Sequence, residues 1–116
     1  MALPISNPFA GDYHVTGTFN HPTAGIRDID EVKTLSTVNC STVETSIGDL
    51  GGAGLFIKVN TDNSVTISGE LSASQPLIMV TGQPNVYNPA TKTFTLNYYY
   101  VGSGGNRVIS EVYVRQ

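Results

Sequence analysis

The feature that most constrains this chain is the pattern of its last thirty residues, Tyr87 to Gln116, where two alternating apolar runs flank Gly102-Ser103-Gly104-Gly105-Asn106. Alternation with a period of two marks a strand with one buried face, and two such runs about a glycine-rich turn make a hairpin. Setting Tyr100 opposite Val108 across a five-residue loop gathers Phe94, Leu96, Tyr98 and Tyr100 with Val108, Val112 and Val114 on one almost wholly apolar face. A slip of one residue would set Leu96 against Glu111 and Tyr98 against Ile109, mixing apolar with charged positions. The five-residue loop is therefore the expected register, since a one-residue shift moves every side chain to the other face. The residues alone leave open which face turns inward, with the apolar one the better candidate for the core.

The same period recurs upstream. From Asp12 to Phe19, the positions Tyr13, Val15, Gly17 and Phe19 alternate with His14, Thr16 and Thr18. A loop at Asn20 to Gly25 leads into an extended segment from Ile26 to Val38, better patterned from Val32 onward, and Val43, Thr45 and Ile47 align in the next strand. Asn60 to Ser64 has the composition of a tight turn with one residue in the left-handed region, and it sets Val59 opposite Val65 and Ile57 opposite Ile67. Leu77 to Val80 is a continuous apolar run of the kind found in strands buried on both faces. No apolar spacing of three and four is sustained over ten residues with a cap and a stop, so no substantial helix is expected. Short strands joined by short turns point to an all-β fold: an antiparallel up-and-down barrel of about eight strands, lipocalin-like, with a β-sandwich as the alternative. Residues 1–10, with two prolines, read as a linker, and residues 11–116 as a single β domain.

Composition narrows the function. With 116 residues and 40% apolar content, one core can form without metals or disulfides. Only 13% of residues are charged, the net charge is −3, and the six Lys and Arg are scattered singly, which disfavours nucleic acid. No run is long enough to cross a membrane as a helix, and Met1-Ala2-Leu3-Pro4 does not read as a signal peptide; such a start suits a cytosolic chain, but the polar, low-charge composition fits better with an exported protein whose signal has been removed, which is the expectation. Cys40 has no partner thiol and reads as a small structural residue.

Catalysis requires a nucleophile with a base, or facing carboxylates, and neither constellation is evident. Asp12 and His14 share a strand face, yet no third metal ligand accompanies them. Asp62 and Asn63 lack the ligand pattern of a calcium loop, and Gly48 to Gly54 lacks the ending of a phosphate-binding loop. Neither a metal nor a cofactor is expected. In the expected register the second face of the hairpin sets Asn97 opposite Glu111, between Tyr99 and Tyr113. Aromatic faces around an amide and a carboxylate suit a carbohydrate, so Asn97, Tyr99, Glu111 and Tyr113 are the candidate ligand-binding residues; a filled interior or an ordinary surface would use the same residues.

The opening NPFAGDYHVTGTFNHP, the middle DEVKTLSTV and IKVNTDNSVTISG, and the ending YNPATKTFTLNYYYVGSGGNRVISEVYVRQ resemble a C-terminal domain of unknown function in Bacteroidetes surface lipoproteins associated with glycan uptake. The resemblance covers Asn7 to Gln116. It implies an excised module of a lipid-anchored protein on the extracellular face of the outer membrane, following an immunoglobulin-like domain. It also implies a non-enzymatic accessory role in which a polysaccharide or oligosaccharide is a partner, with a structural or protein-interaction module, or a lipocalin-like small-ligand binder, as alternatives. No binding residue carries over from that family.

Overall fold

The computed structural model describes residues 7–116; the linker expected over residues 1–6 lies outside them. Ten antiparallel strands follow in order: β1 (Gly11–His21), β2 (Gly25–Thr37), β3 (Thr42–Thr45), β4 (Leu55–Val59), β5 (Val65–Ser72), β6 (Gln75–Pro76), β7 (Ile78–Met79), β8 (Val86–Asn88), β9 (Thr93–Gly102) and β10 (Gly105–Arg115). Their order across the sheet is β6-β5-β4-β3-β2-β1-β10-β9-β7, with β8 also on β9. Successive strands are neighbours, so the sheet is an up-and-down meander, and its curl makes it a nearly closed barrel as expected. The count exceeds eight because β6, β7 and β8 are strands of only two or three residues.

These short pieces bridge the two ends of the meander. β6 pairs with β5 and β7 with β9, while Val86 bridges Ser64 and β8 pairs with β9. The run Leu77 to Val80 is therefore a peripheral crossing. Leu77, the residue before β7, is buried, whereas both residues of β7, Ile78 and Met79, are exposed.

Inward positions follow the alternation. Tyr13, Val15 and Phe19 on β1, Ile29, Lys33 and Leu35 on β2, and Val43, Leu55, Ile57, Val59, Val65 and Ile67 across β3 to β5 are all buried. The turn after β4 forms as its composition requires, with Asn63 at φ 68° and Asp62 accepting hydrogen bonds from the Ser64 amide and hydroxyl. Val59 opposes Val65 and Ile57 opposes Ile67.

The closing hairpin adopts the other register. Gly102 pairs with Gly105 around a two-residue loop in which Gly104 has φ 86°, and Tyr98 opposes Ile109 while Leu96 opposes Glu111. The inward face of β10 is thus Ile109, Glu111 and Tyr113, and Val112 and Val114 lie outside, exposed. Gly17 on β1 lies opposite Glu111, and a Cβ there would strike the Ser110 carbonyl oxygen, so glycine is what lets β1 and β10 approach where the sheet curls.

At the end of the barrel where β1 begins and β10 ends, Phe9 packs edge-on against Tyr87 at 5.0 Å between ring centroids, and Phe94 lies 4.6 Å from Tyr87 and 5.6 Å from Tyr13. Asn7 donates to the carbonyls of Asn39 and Thr42, and Tyr13 donates to that of Phe9. Asn7 to Ala10, expected to be linker, thus pack onto this end of the barrel. Cys40 is exposed in the connection between β2 and β3, where it carries no packing role.

Candidate functional site

The four residues proposed to share one face are divided by the observed register. Glu111 and Tyr113 point into the core, at 1% and 0% exposure. Asn97 and Tyr99 lie on the opposite face of β9, where Asn97 is buried at 9% exposure against the link between β7 and β8 and Tyr99 is half-buried. The physical reason lies on β2: the Lys33 ammonium reaches Glu111 Oε2 at 2.9 Å, and one strand, β1, lies between them in the sheet.

Every polar atom of this buried group has a partner. Lys33 Nζ donates to Glu111 Oε2, to the Ser46 carbonyl at 2.9 Å and to the Tyr113 hydroxyl at 3.1 Å, which uses all three of its hydrogens. Glu111 Oε1 accepts from Tyr98 at 2.6 Å and from Tyr113 at 3.1 Å. Tyr98 in turn accepts from the Gly48 amide at 3.0 Å. Burial raises the pKa of Tyr98 and Tyr113 well above the ordinary tyrosine range, and the adjacent Glu111 carboxylate adds to the rise. Both phenols therefore stay protonated and act as donors. A charge pair this deep is tolerated because its hydrogen bonds are complete. It joins β2, β9, β10 and the loop after β3 into one unit, and none of its polar groups is left over to meet a ligand.

Aromatic rings and this network pack the interior of the barrel among the described residues. Two concave surfaces lie at its seams. One is a groove of about 430 Å³ between the turn after β4 and the link from β7 to β8, lined by Asn60, Thr66, Met79, Thr81, Gln83 and Asn85 among others. Its walls are amides and hydroxyls, its floor includes Val65 and Met79, and no ionisable side chain lines it. Asn60 donates to the hydroxyls of Ser64 and Thr66, at 3.1 Å each.

Asn97 holds the far wall of this groove. Its amide nitrogen donates to the Pro84 carbonyl at 2.7 Å, its backbone exchanges hydrogen bonds with the Asn85 side chain, and its carbonyl accepts from the Val80 amide. Tyr99, half-buried on the outer face, pairs with Ile78 one residue before the groove-lining Met79. The Asn97 and Tyr99 half of the expected site therefore borders a groove, which sequence reading missed because its walls come from two turns more than ten residues apart.

The second seam lies between β2 and β3. A cleft of about 390 Å³ there is bounded by Glu31 to Thr34 on one side and by Glu44 to Ser46 with Gly51 to Ala53 on the other. Arg27 clasps the loop beyond it through two hydrogen bonds to Asp49, at 2.6 and 2.8 Å, and stacks over Phe19 at 3.9 Å. This pairing holds the Asp49 carboxyl below the usual carboxylate range.

The histidines have local partners. His14 Nε2 lies 2.6 Å from Asp30 on the exposed outer face, Asp12 accepts from Thr34, and His21 Nδ1 accepts from the amides of Thr23 and Ala24 in its own turn. Among the described residues no group of three or more His, Cys, Asp or Glu is placed to hold a metal.

A protein-family model described as "-like, C-terminal" matches residues 1–113. The chain belongs to this family of C-terminal domains. The match spans nearly all of the stretch whose motifs resemble such a domain. No curated protein and no solved structure matches the chain.

Proposed function

We propose that this C-terminal domain is a non-enzymatic accessory module of an exported, lipid-anchored surface protein engaged in glycan uptake, and that it holds a neutral saccharide in the groove between the turn after β4 and the β7–β8 link. The observation that carries the reading is the chemistry of that groove. Neutral sugars present hydroxyls that both donate and accept, and amides and hydroxyls match them without the desolvation cost of a charge. Its volume of about 430 Å³ falls in the range of small-molecule sites, and the exposed Met79 offers an apolar surface to a ring face. The non-enzymatic part is supported by the commitment of Glu111 to Lys33, Tyr98 and Tyr113, and of both histidines to neighbours.

The test is an NMR titration of the domain with neutral plant and host oligosaccharides, following the side-chain amide signals of Asn60, Gln83 and Asn85. Saturable shifts there, weakened at least about tenfold, or 1.4 kcal/mol, by Gln83→Ala with Thr66→Val, are expected. Titrations that leave those amides unmoved at millimolar sugar would remove direct binding.

A second reading has its own observation. Val32 on β2, Val112 and Val114 on β10 and Val86 on β8 are exposed on the outer face, with His14 standing between Val32 and Val114 in register. Exposed β-branched side chains over a rigid, filled barrel suit a docking module, for which the immunoglobulin-like domain expected upstream is the partner.

A further inference from the structure

β2 is paired along its length on one side only. Its register with β1 runs unbroken from Leu35 opposite Gly11 to Gly25 opposite His21, whereas β3 meets it only at Ser36 and Thr37. From Gly25 to Leu35 the other edge has no strand partner among the described residues. The cleft beside it is lined by four consecutive residues, Glu31, Val32, Lys33 and Thr34, and opposite them by Glu44, Thr45 and Ser46. Successive side chains of a strand point to opposite faces, so consecutive residues line one groove only where it opens along the strand edge. The cleft is therefore walled by main chain, with amides and carbonyls of β2 facing it.

Its charge is one-sided. Lys33 is neutralised by Glu111 at 2.9 Å, and Arg27 by Asp49 at 2.6 Å. Glu31 and Glu44, both half-buried and on opposite walls, have no cationic partner among the described residues. An occupant is thus offered a strand edge between two carboxylates.

We propose that the β2 edge binds an extended peptide segment bearing lysine or arginine, by adding it as a strand in the cleft between β2 and the β3–β4 loop. Main-chain hydrogen bonds to β2 would supply affinity, and basic side chains reaching Glu31 from one face of the added strand, or Glu44 from the other, would set sequence preference. This surface is separate from the saccharide groove, so the two proposals fail or stand independently.

The experiment uses the full chain labelled with nitrogen-15 and three capped peptides: alternating Thr and Lys, alternating Thr and Glu, and the Thr-Lys peptide with alternate backbone nitrogens methylated. Saturable shifts and slowed hydrogen exchange at the amides of Glu31 to Thr34 are expected with the Thr-Lys peptide alone. Joint replacement Glu31→Gln and Glu44→Gln, both at partly exposed positions, should weaken it about tenfold. Equal binding of the glutamate or the methylated peptide, or no response to any peptide at millimolar concentration, overturns the proposal. Protection of these amides that rises with protein concentration alone would also overturn it, by assigning the edge to a second copy of the chain.

Discussion

Replacing Lys33 by methionine removes the cation from the buried network while keeping the length of the side chain. Glu111, at 1% exposure, retains its two tyrosine donors but loses the one cation paired with it among the described residues. Breaking a buried pair from one side costs about 3–5 kcal/mol because a charge is left uncompensated. Against a total stability of roughly 5–15 kcal/mol for a domain, this should lower the melting temperature by more than about 10 °C. Glu111→Leu should cost a similar amount, since it strands the ammonium and the hydroxyls of Tyr98 and Tyr113. The double variant should lose far less than the two costs added, about 2 kcal/mol, because what remains is one or two unpaired hydroxyls. Urea unfolding followed by far-ultraviolet circular dichroism and tyrosine fluorescence, in a chain without tryptophan, reads all three. The same cycle tests the hairpin register. With Tyr100 opposite Val108, Glu111 would face the other side of the sheet from Tyr98, and each single variant would cost no more than about 1 kcal/mol, additively. That outcome would refute the buried network and the register together.

Alkaline unfolding should begin near pH 10, where tyrosines of the unfolded chain ionise. Tyr98 and Tyr113 have raised pKa values when folded, so their contribution is whole below that pH and is lost as pH climbs toward the folded values, at about 1.4 kcal/mol per pH unit for each; unfolding midpoints and near-ultraviolet absorbance measured against pH check it. Asp49→Asn should cost under about 1 kcal/mol at neutral pH, the pair being partly exposed. The lowered pKa of Asp49 means its contribution is present above the unfolded value near 4 and vanishes as pH falls through the folded one, so urea midpoints of variant and parent should converge in acid. Gly17→Ala should destabilise by about 3 kcal/mol or more, since the new methyl meets backbone that cannot step aside; thermal unfolding reads this directly.

Much of the fold is legible in local pattern. Tyr13, Val15 and Phe19 are buried as their alternation requires, and the β4–β5 hairpin forms in its expected register because an Asn-rich turn and matching apolar positions agree with each other. Asn97 and Tyr99 share a face of β9, as the period of two requires, and the structure sets that face beside a groove, with Asn97 buried and Tyr99 half-buried. The walls of that groove at Asn60 and Gln83 carry only turn composition, and nothing local tells that two turns will meet across a seam.

The closing hairpin marks the boundary. Its sequence determined that two strands meet at a glycine turn, since period and turn chemistry are properties of neighbouring residues. The register was decided by a residue 78 positions away in sequence. Matching apolar side chains across the hairpin favours turning Glu111 outward, and that is the cheaper arrangement for an isolated pair of strands. Once the barrel curls, Lys33 arrives at the same depth, two tyrosine hydroxyls complete the carboxylate's hydrogen bonds, and burying Glu111 becomes the stable solution. A charge can be placed in a core only by its partners, and for Glu111 the decisive one comes from β2, outside the hairpin.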